Sequence, residues 1–410
     1  MKNPRRPATG LILAAATFAL CTFAARADII DDWTAQADAI ANDKHLPPPA
    51  NTRVLALMHV SMFEAVNAID RRYAPYALDL VANRQTSREA AIAAAGHAVL
   101  AAEFPDQVKG LDALLAKSLS AVAVGPGRER GVLLGERAAA DLRSKRLPDG
   151  SEIAETYRPV TAPGVYVPTA TVANSTVGRF KPWVMSSGSQ FRPGPPPALT
   201  SETWTRDLDE IRAFGALASS TRSPEQTDVA RFWFLTGPRT WLPVVQHVLD
   251  DSKLDLTDRA RVHALASMAA ADAFIAVFDA KYAYNLWRPV TAIRNSDMTG
   301  NAATPRDPAW VPLGETPMHP EYPCAHCISS SAVAAVLRAQ FGDDMRPVAL
   351  NSVTAPGVTR RFTRLTDYEE EVSNARIWAG FHYRFSTDVG RDMGHRIGAL
   401  TLATQLKPRK

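Results

Sequence analysis

Apolar residues along most of this chain recur every three or four positions, not at every second one, a spacing that predicts helices over strands. In "TRVLALMHVSMFEAVNAID" (52–70), Val54, Leu57, Met58, Phe63 and Val66 fall on one face. "SREAAIAAAGHAVLAAEF" (87–104) and "QVKGLDALLAKSLSAVAV" (107–124) follow, parted by Pro105-Asp106. Gly125-Pro126-Gly127 then breaks the pattern before "RERGVLLGERAAADLRSKR" (128–146). These four segments predict an alanine-rich first bundle. Helical spacing returns in "SETWTRDLDEIRAF" (201–214), "SPEQTDVARFWFL" (223–235) and "DLTDRARVHALASMAAADAFIAVFDAKYAY" (255–284). Ser223-Pro224-Glu225-Gln226 reads as a helix start, with serine as the cap and proline in the first turn. Further helices are expected over 327–341, 366–380 and 388–405. Alternating β-type runs are scarce, so the expected class is all-α, in two helical-bundle-like halves.

Between the halves the pattern fails. Residues 147–200 are rich in Pro and Gly, down to "FRPGPPPAL" (191–199). Proline removes a backbone donor and blocks helix continuation. Tyr157, Tyr166, Phe180 and Trp183 nevertheless give the stretch groups to bury, so it reads as an irregular excursion packed over the surface. The expected divisions are a leader over 1–27, a helical half with the excursion over 28–200, and a second helical half over 201–410.

Residues 1–27 read as a secretory signal peptide. Lys2, Arg5 and Arg6 form a basic start, Leu11 to Ala25 an apolar run, and Ala25-Arg26-Ala27 a small-x-small cleavage site. An exported product, periplasmic or secreted, is therefore expected. The chain has 46 Lys+Arg against 42 Asp+Glu. The leader holds four of those cations and no acid, so the mature chain is balanced. No broad basic surface points to nucleic acid. No other segment reads as long and apolar enough to span a bilayer. After cleavage only Cys324 and Cys327 remain, which is not a disulfide scaffold.

Chemistry is concentrated in three segments of the second half. In "KYAYNLWRP" (281–289), Lys281 and Arg288 are seven apart, about two helical turns, which places both cations on nearly one helical face. Pro289 is expected to end or kink that helix. A solvated, salt-bridged face is the bland alternative; the interleaved Tyr282, Tyr284 and Trp287 argue for burial. In "HPEYPCAHCISSSAVAAVL" (319–337), Pro323 precedes a helix start whose unpaired N–H groups suit an anion, with His326 at its edge. In "ARIWAGFHYRFSTD" (375–388), Gly380 could end the helix so that Arg376 and His382 enter one cavity, with Ser386 capping the last helix. Two arginines, a lysine, a helix N-terminus and two histidines make a basic pocket for a tetrahedral oxyanion. One histidine can serve as nucleophile or ligand and the other as general acid/base.

Lys281-x6-Arg288-Pro289, then Pro323-Cys324-Ala325-His326, then Ala375-Arg376-x5-His382 resembles the signature shared by vanadium-dependent haloperoxidases and type 2 phosphatidic acid phosphatases. Each piece alone is weak, while the three in order are specific. "LALMHVSMFEAVNAID" and "EQTDVARFWF" also resemble N-terminal helices of bacterial haloperoxidase-like proteins. The resemblance implies that His382 holds vanadate as its sole side-chain ligand, or attacks phosphorus in a phosphatase. It implies that Lys281, Arg288 and Arg376 neutralise the oxyanion's oxygens, that Lys281 polarises bound peroxide, that Ala325 supplies an N–H, and that His326 is the acid/base. The implied partners are hydrogen peroxide and a halide, or else a phosphomonoester.

Two positions depart from the signature. Cys324 stands where the family has a serine that binds an oxyanion oxygen, and a thiol donates more weakly. Ala375 replaces the serine before the arginine. Cys324 and Cys327, at a helix start, have a spacing that allows a disulfide after export. Three rival readings are weaker. A CxxC thiol oxidoreductase requires a βαβ context that this stretch lacks. Zinc held by Cys324, Cys327, His319 and His326 would need a crowded loop. A non-catalytic oxyanion-binding protein stays open because fold does not guarantee function. Within the resemblance itself, a soluble acid phosphatase with a phosphohistidine intermediate is the alternative. His59, His97, His263 and His395 read as packed or surface residues, and His319 carries no assigned role.

Overall fold

The computed structural model describes residues 28–409, and the expected leader lies outside the described residues. The N-terminal helices are α1 (Ile29–Asp43), α2 (Pro48–Asp70), α3 (Arg88–Glu103), α4 (Val108–Ser120) and α5 (Pro126–Arg146). The last four correspond to the predicted first bundle. α1 carries an additional start signal, Asp28, whose carboxylate accepts the N–H groups of Ile30 and Asp31. α3 and α5 lie nearly backbone to backbone, because a Cβ on Gly135 would meet the Ala91 carbonyl oxygen at 2.2 Å.

The second half contains α6 (Glu202–Phe214), α7 (Pro224–Phe232), α8 (Leu242–Asp250), α9 (Leu256–Tyr284), α10 (Pro289–Arg294), α11 (Ala325–Phe341), α12 (Leu365–Trp378) and α13 (Arg384–Thr404). The start of α7 forms a full capping box between Ser223 and Gln226. A short antiparallel hairpin, β1 (Asp344–Asn351) with β2 (Thr359–Arg364), stands between α11 and α12. The class is all-α with this one small sheet among the described residues.

α9 is the axis of the molecule. It packs against α2 on one side and α11 and α13 on others. It is long and apolar enough by composition to cross a membrane, which corrects the expectation that no such segment follows the leader; 94% of its apolar window is buried inside the fold. A central core helix needs apolar residues all round. One hydrophobic cluster runs through it, joining Trp33, Leu57 and Leu100 to Val262, Ile328 and Met393.

The excursion over 147–200 has no helix beyond one 3-10 turn at Val177–Arg179. Its backbone is held by side chains instead. The buried carboxylate of Asp272 on α9 accepts the N–H of Trp183 at 2.7 Å and those of Val184 and Met185 at 2.8 Å. Burial pushes that carboxyl up to about 6, against the three donors that favour its charge. The Tyr157 hydroxyl donates to Asn285 Oδ1 at 3.1 Å, just where α9 ends.

Asp272→Ala should therefore cost about 3 kcal/mol or more, since three buried N–H groups lose their acceptor. Urea unfolding measures the loss, and quenching of Trp183 fluorescence reports whether the excursion lifts. Unchanged stability would show that residues 183–185 stay in place without the carboxylate.

Candidate active site

Lys281 lies in the last turn of α9. The expectation that Arg288 shares its helical face is corrected by the structure. Asn285 takes the left-handed conformation at φ 50° and ends the helix, while Arg288 is extended at φ −78°, ψ 156°. Pro289 opens α10 and disfavours a helical residue before it, so the chain cannot continue α9 through Arg288. The two cations converge for another reason: both reach the backbone of residues 319–321. Lys281 Nζ donates to the carbonyls of Pro320 at 3.0 Å and Glu321 at 2.7 Å. Arg288 Nε donates to the His319 carbonyl at 2.8 Å.

α11 begins at Ala325, two residues before the sequence expectation, with Cys324 as its cap. As the first residues of a helix, Ala325 and His326 have no intrahelical acceptor for their N–H groups. Cys324 and Cys327 are joined in a disulfide, with Cα atoms 5.4 Å apart. Both are fully buried.

Arg376 and His382 are brought together by the break after α12. Gly380 has φ 81°, and a Cβ there would meet the Gly215 carbonyl at 2.6 Å, so the turn requires glycine. The next helix does not start at Ser386 as expected. Its cap is Tyr383, and the start is satisfied from elsewhere: the Tyr383 N–H donates to Glu321 Oε1 at 3.1 Å and the Phe385 N–H to Asp207 Oδ2 at 2.7 Å. Borrowed carboxylates replace a local cap, and Ser386 moves inside the first turn.

The hydrogen bonds fix the protons. An arginine can only donate, so Arg288 Nη2, 2.9 Å from His319 Nδ1, makes that nitrogen an acceptor. His319 is then neutral with its proton on Nε2, and the Pro320 carbonyl near Nδ1 is not its partner. Glu321 Oε1 lies 2.7 Å from His382 Nδ1, while Arg288 Nη1 lies 3.5 Å from His382 Nε2. His382 thus carries its proton on Nδ1 and presents a lone pair on Nε2. His326 Nε2 stands 2.7 Å from the Leu235 carbonyl, which can only accept, so Nδ1 is the nitrogen left to take a proton. Burial, and the cations around them, hold all three imidazoles well below the usual histidine range.

Charge is unbalanced here. Lys281, Arg288 and Arg376 are at most 2% exposed, and the carboxylate placed among them is Glu321, itself fully buried. Burial pushes Arg376 down to about 9, Arg288 to about 10 and Lys281 well below its ordinary value. Burial likewise raises Glu321 to about 7. Arg376 Nη1 donates to the Trp233 carbonyl at 2.5 Å, yet its Nε is buried without a partner. Three cations facing one acid in a dry site is an arrangement that an anion completes.

A cavity of about 280 Å³ opens on this cluster, with Ala325, His326, Ser329, Arg376 and His382 in its lining. Arg288 and Lys281 stand behind that lining, bound to the 319–321 backbone. Cys324 is not in the lining, and its sulfur is committed to Cys327. Glu321 and His319 were given no role from the sequence. Glu321 carried one signal, a lone acid four residues before the start of α11 among otherwise basic chemistry.

Residues 261–408, which span every motif position, match the family described as the VCPO second helical-bundle domain. The vanadium chloroperoxidase of Curvularia inaequalis is 27% identical over 240 residues, 43% of this chain. That match spans about two fifths of the fungal protein, 39% of its length. A structure of the first bacterial vanadium-dependent iodoperoxidase superposes with a TM-score of 0.80 and 24% identity, covering 93% of this chain and 97% of that one. Residues 261–408 thus support the resemblance to the superfamily shared by vanadium-dependent haloperoxidases and type 2 phosphatidic acid phosphatases. A holo-type bacterial vanadium-dependent chloroperoxidase has a similar fold, with a TM-score of 0.70 and 19% identity over 87% of this chain and 91% of that one.

The raised Glu321 carboxyl predicts a pH dependence for an oxyanion bound beside His382. Below about pH 7 its protonated carboxyl donates to His382 Nδ1, which moves the imidazole proton to Nε2 and withdraws the lone pair from the cavity. Orthovanadate affinity should fall as the pH drops through about 7. Glu321→Gln, whose amide oxygen accepts the Nδ1 proton at every pH, should bind about 10- to 100-fold more weakly and lose that limb. Vanadium-51 NMR titrations between about pH 5.5 and 8.5 measure both. An unchanged limb in the variant would show that another group titrates.

Proposed function

We propose that this protein is a vanadium-dependent haloperoxidase, oxidising a halide with hydrogen peroxide at a vanadate held by His382. The observation that supports an oxyanion chemistry here is the His382 lone pair set among three buried cations that face a single carboxylate, and the choice of halide oxidation rests on the likeness to haloperoxidases. The residues fit the group. His382 Nε2 would be its side-chain ligand. The orphaned Nε of Arg376, the Arg288 guanidinium and the N–H groups opening α11 would take its oxygens. Bound vanadate would act as a Lewis acid that activates peroxide without changing its own oxidation state.

The chain's own residues supply the rest. Glu321 keeps the His382 proton on Nδ1, so that Nε2 stays available. Lys281 spends two donors on the Pro320 and Glu321 carbonyls and keeps a third for an oxygen of the bound group or of peroxide. His326 Nδ1 accepts the proton that leaves incoming peroxide and returns it to the departing oxygen. The likeness to vanadium chloroperoxidase and to the bacterial iodoperoxidase supports halide oxidation over phosphate-ester hydrolysis. The electrostatics of the pocket suit both oxyanions equally. An exported location is part of the proposal, supported by the leader-like pattern of residues 1–27 and by a disulfide of the kind that persists in oxidising compartments.

Orthovanadate at about 100 times its Kd should stabilise the fold by about 2.7 kcal/mol, and phosphate should compete for the same site. With vanadate, peroxide and iodide or bromide, the protein should oxidise the halide. His382→Ala should abolish that turnover and the vanadate-dependent rise in Tm while its helical circular dichroism is kept. Rapid phosphomonoester hydrolysis inhibited by vanadate, with no halide oxidation at any loading, would replace this reading by the acid phosphatase one. Tight vanadate binding with neither activity would leave an oxyanion-binding protein.

A further inference from the structure

We propose that the Cys324–Cys327 disulfide is a covalent cap that positions His326 and the opening N–H groups of α11, so that the oxyanion site becomes competent only in a chain folded under oxidising conditions. This rests on the oxyanion reading of the His382 site and adds its regulation. It holds whichever reaction that site runs.

Ala325 and His326 are the two residues that the bond encloses. Both stand in the first turn of α11, where no N–H has an intrahelical acceptor. Such a turn is ordinarily held by a cap side chain that accepts the N–H three residues on, a task that serine, threonine, aspartate and asparagine do best. Here the cap is Cys324, and its sulfur lies 3.2 Å from the Cys327 nitrogen. Sulfur is a weak acceptor. The disulfide joins the same two positions that a hydrogen-bonded cap would join. A covalent bond thus does what a thiol alone does poorly.

The effect of the bond is local. The stabilisation that a disulfide gives a whole fold grows with the loop it closes, and these cysteines are only three residues apart. What the bond fixes is the direction of the first turn. The His326 ring is held by a hydrogen bond from Nε2 to the Leu235 carbonyl at 2.7 Å. That bond places the ring only if the turn carrying His326 is itself in place. The outer side of the turn is pressed on α13. The Cys324 N–H donates to the Ser386 carbonyl at 3.1 Å, and a Cβ on Gly390 would meet the Cys324 carbonyl at 2.8 Å and the Cys327 Cβ at 3.1 Å. Both cysteines are fully buried. Two separate thiols take more room than a bonded pair, and α13 leaves none. The reduced turn has to shift, and His326 shifts with it.

Burial also shields the finished bond from reductant, so the choice between bond and thiols is made while the chain folds. Forming the bond removes two electrons and two protons from the two thiols. The oxidant is a disulfide of the thiol-exchange class, which accepts them and leaves as two thiols. A reducing compartment supplies no such oxidant in excess, so a chain that folds there keeps an unlocked turn.

Full-length chain folded in an oxidised thiol buffer is compared with chain folded under reductant and with a double variant, Cys324→Ala with Cys327→Ala. Orthovanadate affinity, read by vanadium-51 NMR, should weaken by about tenfold or more in both bond-free forms. Their Tm should fall by about 4 °C or less, because the loop is short. The hydrogen-bonded Nε2 proton of His326 gives its own resonance, identified by its loss in His326→Gln. Without any oxyanion present, that resonance should be sharp in the oxidised chain and broadened or lost in the bond-free forms. Cys324→Ser with Cys327→Ala should restore it without a bond, because serine accepts the N–H of residue 327. Equal orthovanadate affinity with and without the bond, a His326 resonance indifferent to it, or no recovery with serine would overturn the positioning role. So would a Tm loss of about 10 °C or more, which would make the bond a support of the whole fold. Two free thiols in the oxidised chain, titrated after unfolding, would remove the bond itself. If the oxidised chain binds neither orthovanadate nor phosphate, the oxyanion reading falls and this proposal with it, whereas binding that the bond leaves unchanged overturns this proposal alone.

Discussion

Lys281, Arg288 and Arg376 share a dry interior with one carboxylate, and the local backbone is arranged around the cost of keeping them there. Removing a charge from water costs several kcal/mol even after the protein relaxes. The protein repays part of that with carbonyl oxygens: those of Pro320 and Glu321 for Lys281, those of His319 and Phe381 for Arg288, and that of Trp233 for Arg376. Carbonyls inside a helix are already engaged by their own ladder. The segments that solvate the cations are therefore the ones that leave helices, near residues 233–236, 319–323 and 380–383. Irregular backbone at this site is how buried cations are kept charged without a full set of counterions.

The surrounding helices hold those irregular segments in register. α13 presses on α11 through Gly390, Gly394 and Gly398, where a Cβ would meet the carbonyls of Cys324 at 2.8 Å, Ile328 at 2.5 Å and Ala332 at 2.7 Å. This close approach fixes the start of α11, with Ala325 and His326, against the start of α13, just beyond His382. The Cys324 N–H donates to the Ser386 carbonyl at 3.1 Å across the same contact. Cys324, which replaces a hydroxyl the family directs at the oxyanion, works here as part of the joint between two helices. Glu321 completes the frame from the other side: its backbone oxygen holds Lys281, and its side chain holds both His382 and the N–H of Tyr383, the cap of α13.

Helix positions were legible because the apolar period is strong, and the bundle segments and the later helices fall close to where the spacing puts them. The motif residues were legible as a set because their order is specific. The local geometry was not. Lys281 and Arg288 seven apart suggest one face, but spacing cannot report that Asn285 takes the left-handed conformation and that Arg288 is extended. Ser386 has the composition of a cap, yet a cap supplied by Asp207 and Glu321 from distant parts of the chain leaves no local trace. Glu321 went unassigned for the same reason: its partner His382 is 61 residues away. The hairpin between α11 and α12 is short and mostly exposed, so its alternation is faint.

The oxyanion pocket cannot by itself choose between vanadate and phosphate chemistry, because cations, helix N–H groups and a histidine lone pair recognise a tetrahedral anion whatever its central atom. Discrimination has to come from what adjoins the anion. A phosphomonoester brings its own polar ester oxygen and a leaving group that water must reach. A halide oxidised by peroxide needs a dry approach and somewhere for the product to react. The face next to His382 here is built from Phe274, Phe278, Met318 and prolines. That wall lowers the local dielectric, which strengthens the cation–anion interactions on the opposite side. It also offers few partners to a water beside His382, and hydrolysis of a phosphohistidine needs one there. The apolar wall therefore bears on the choice between the two proposed chemistries through a part of the chain that the signature residues do not include.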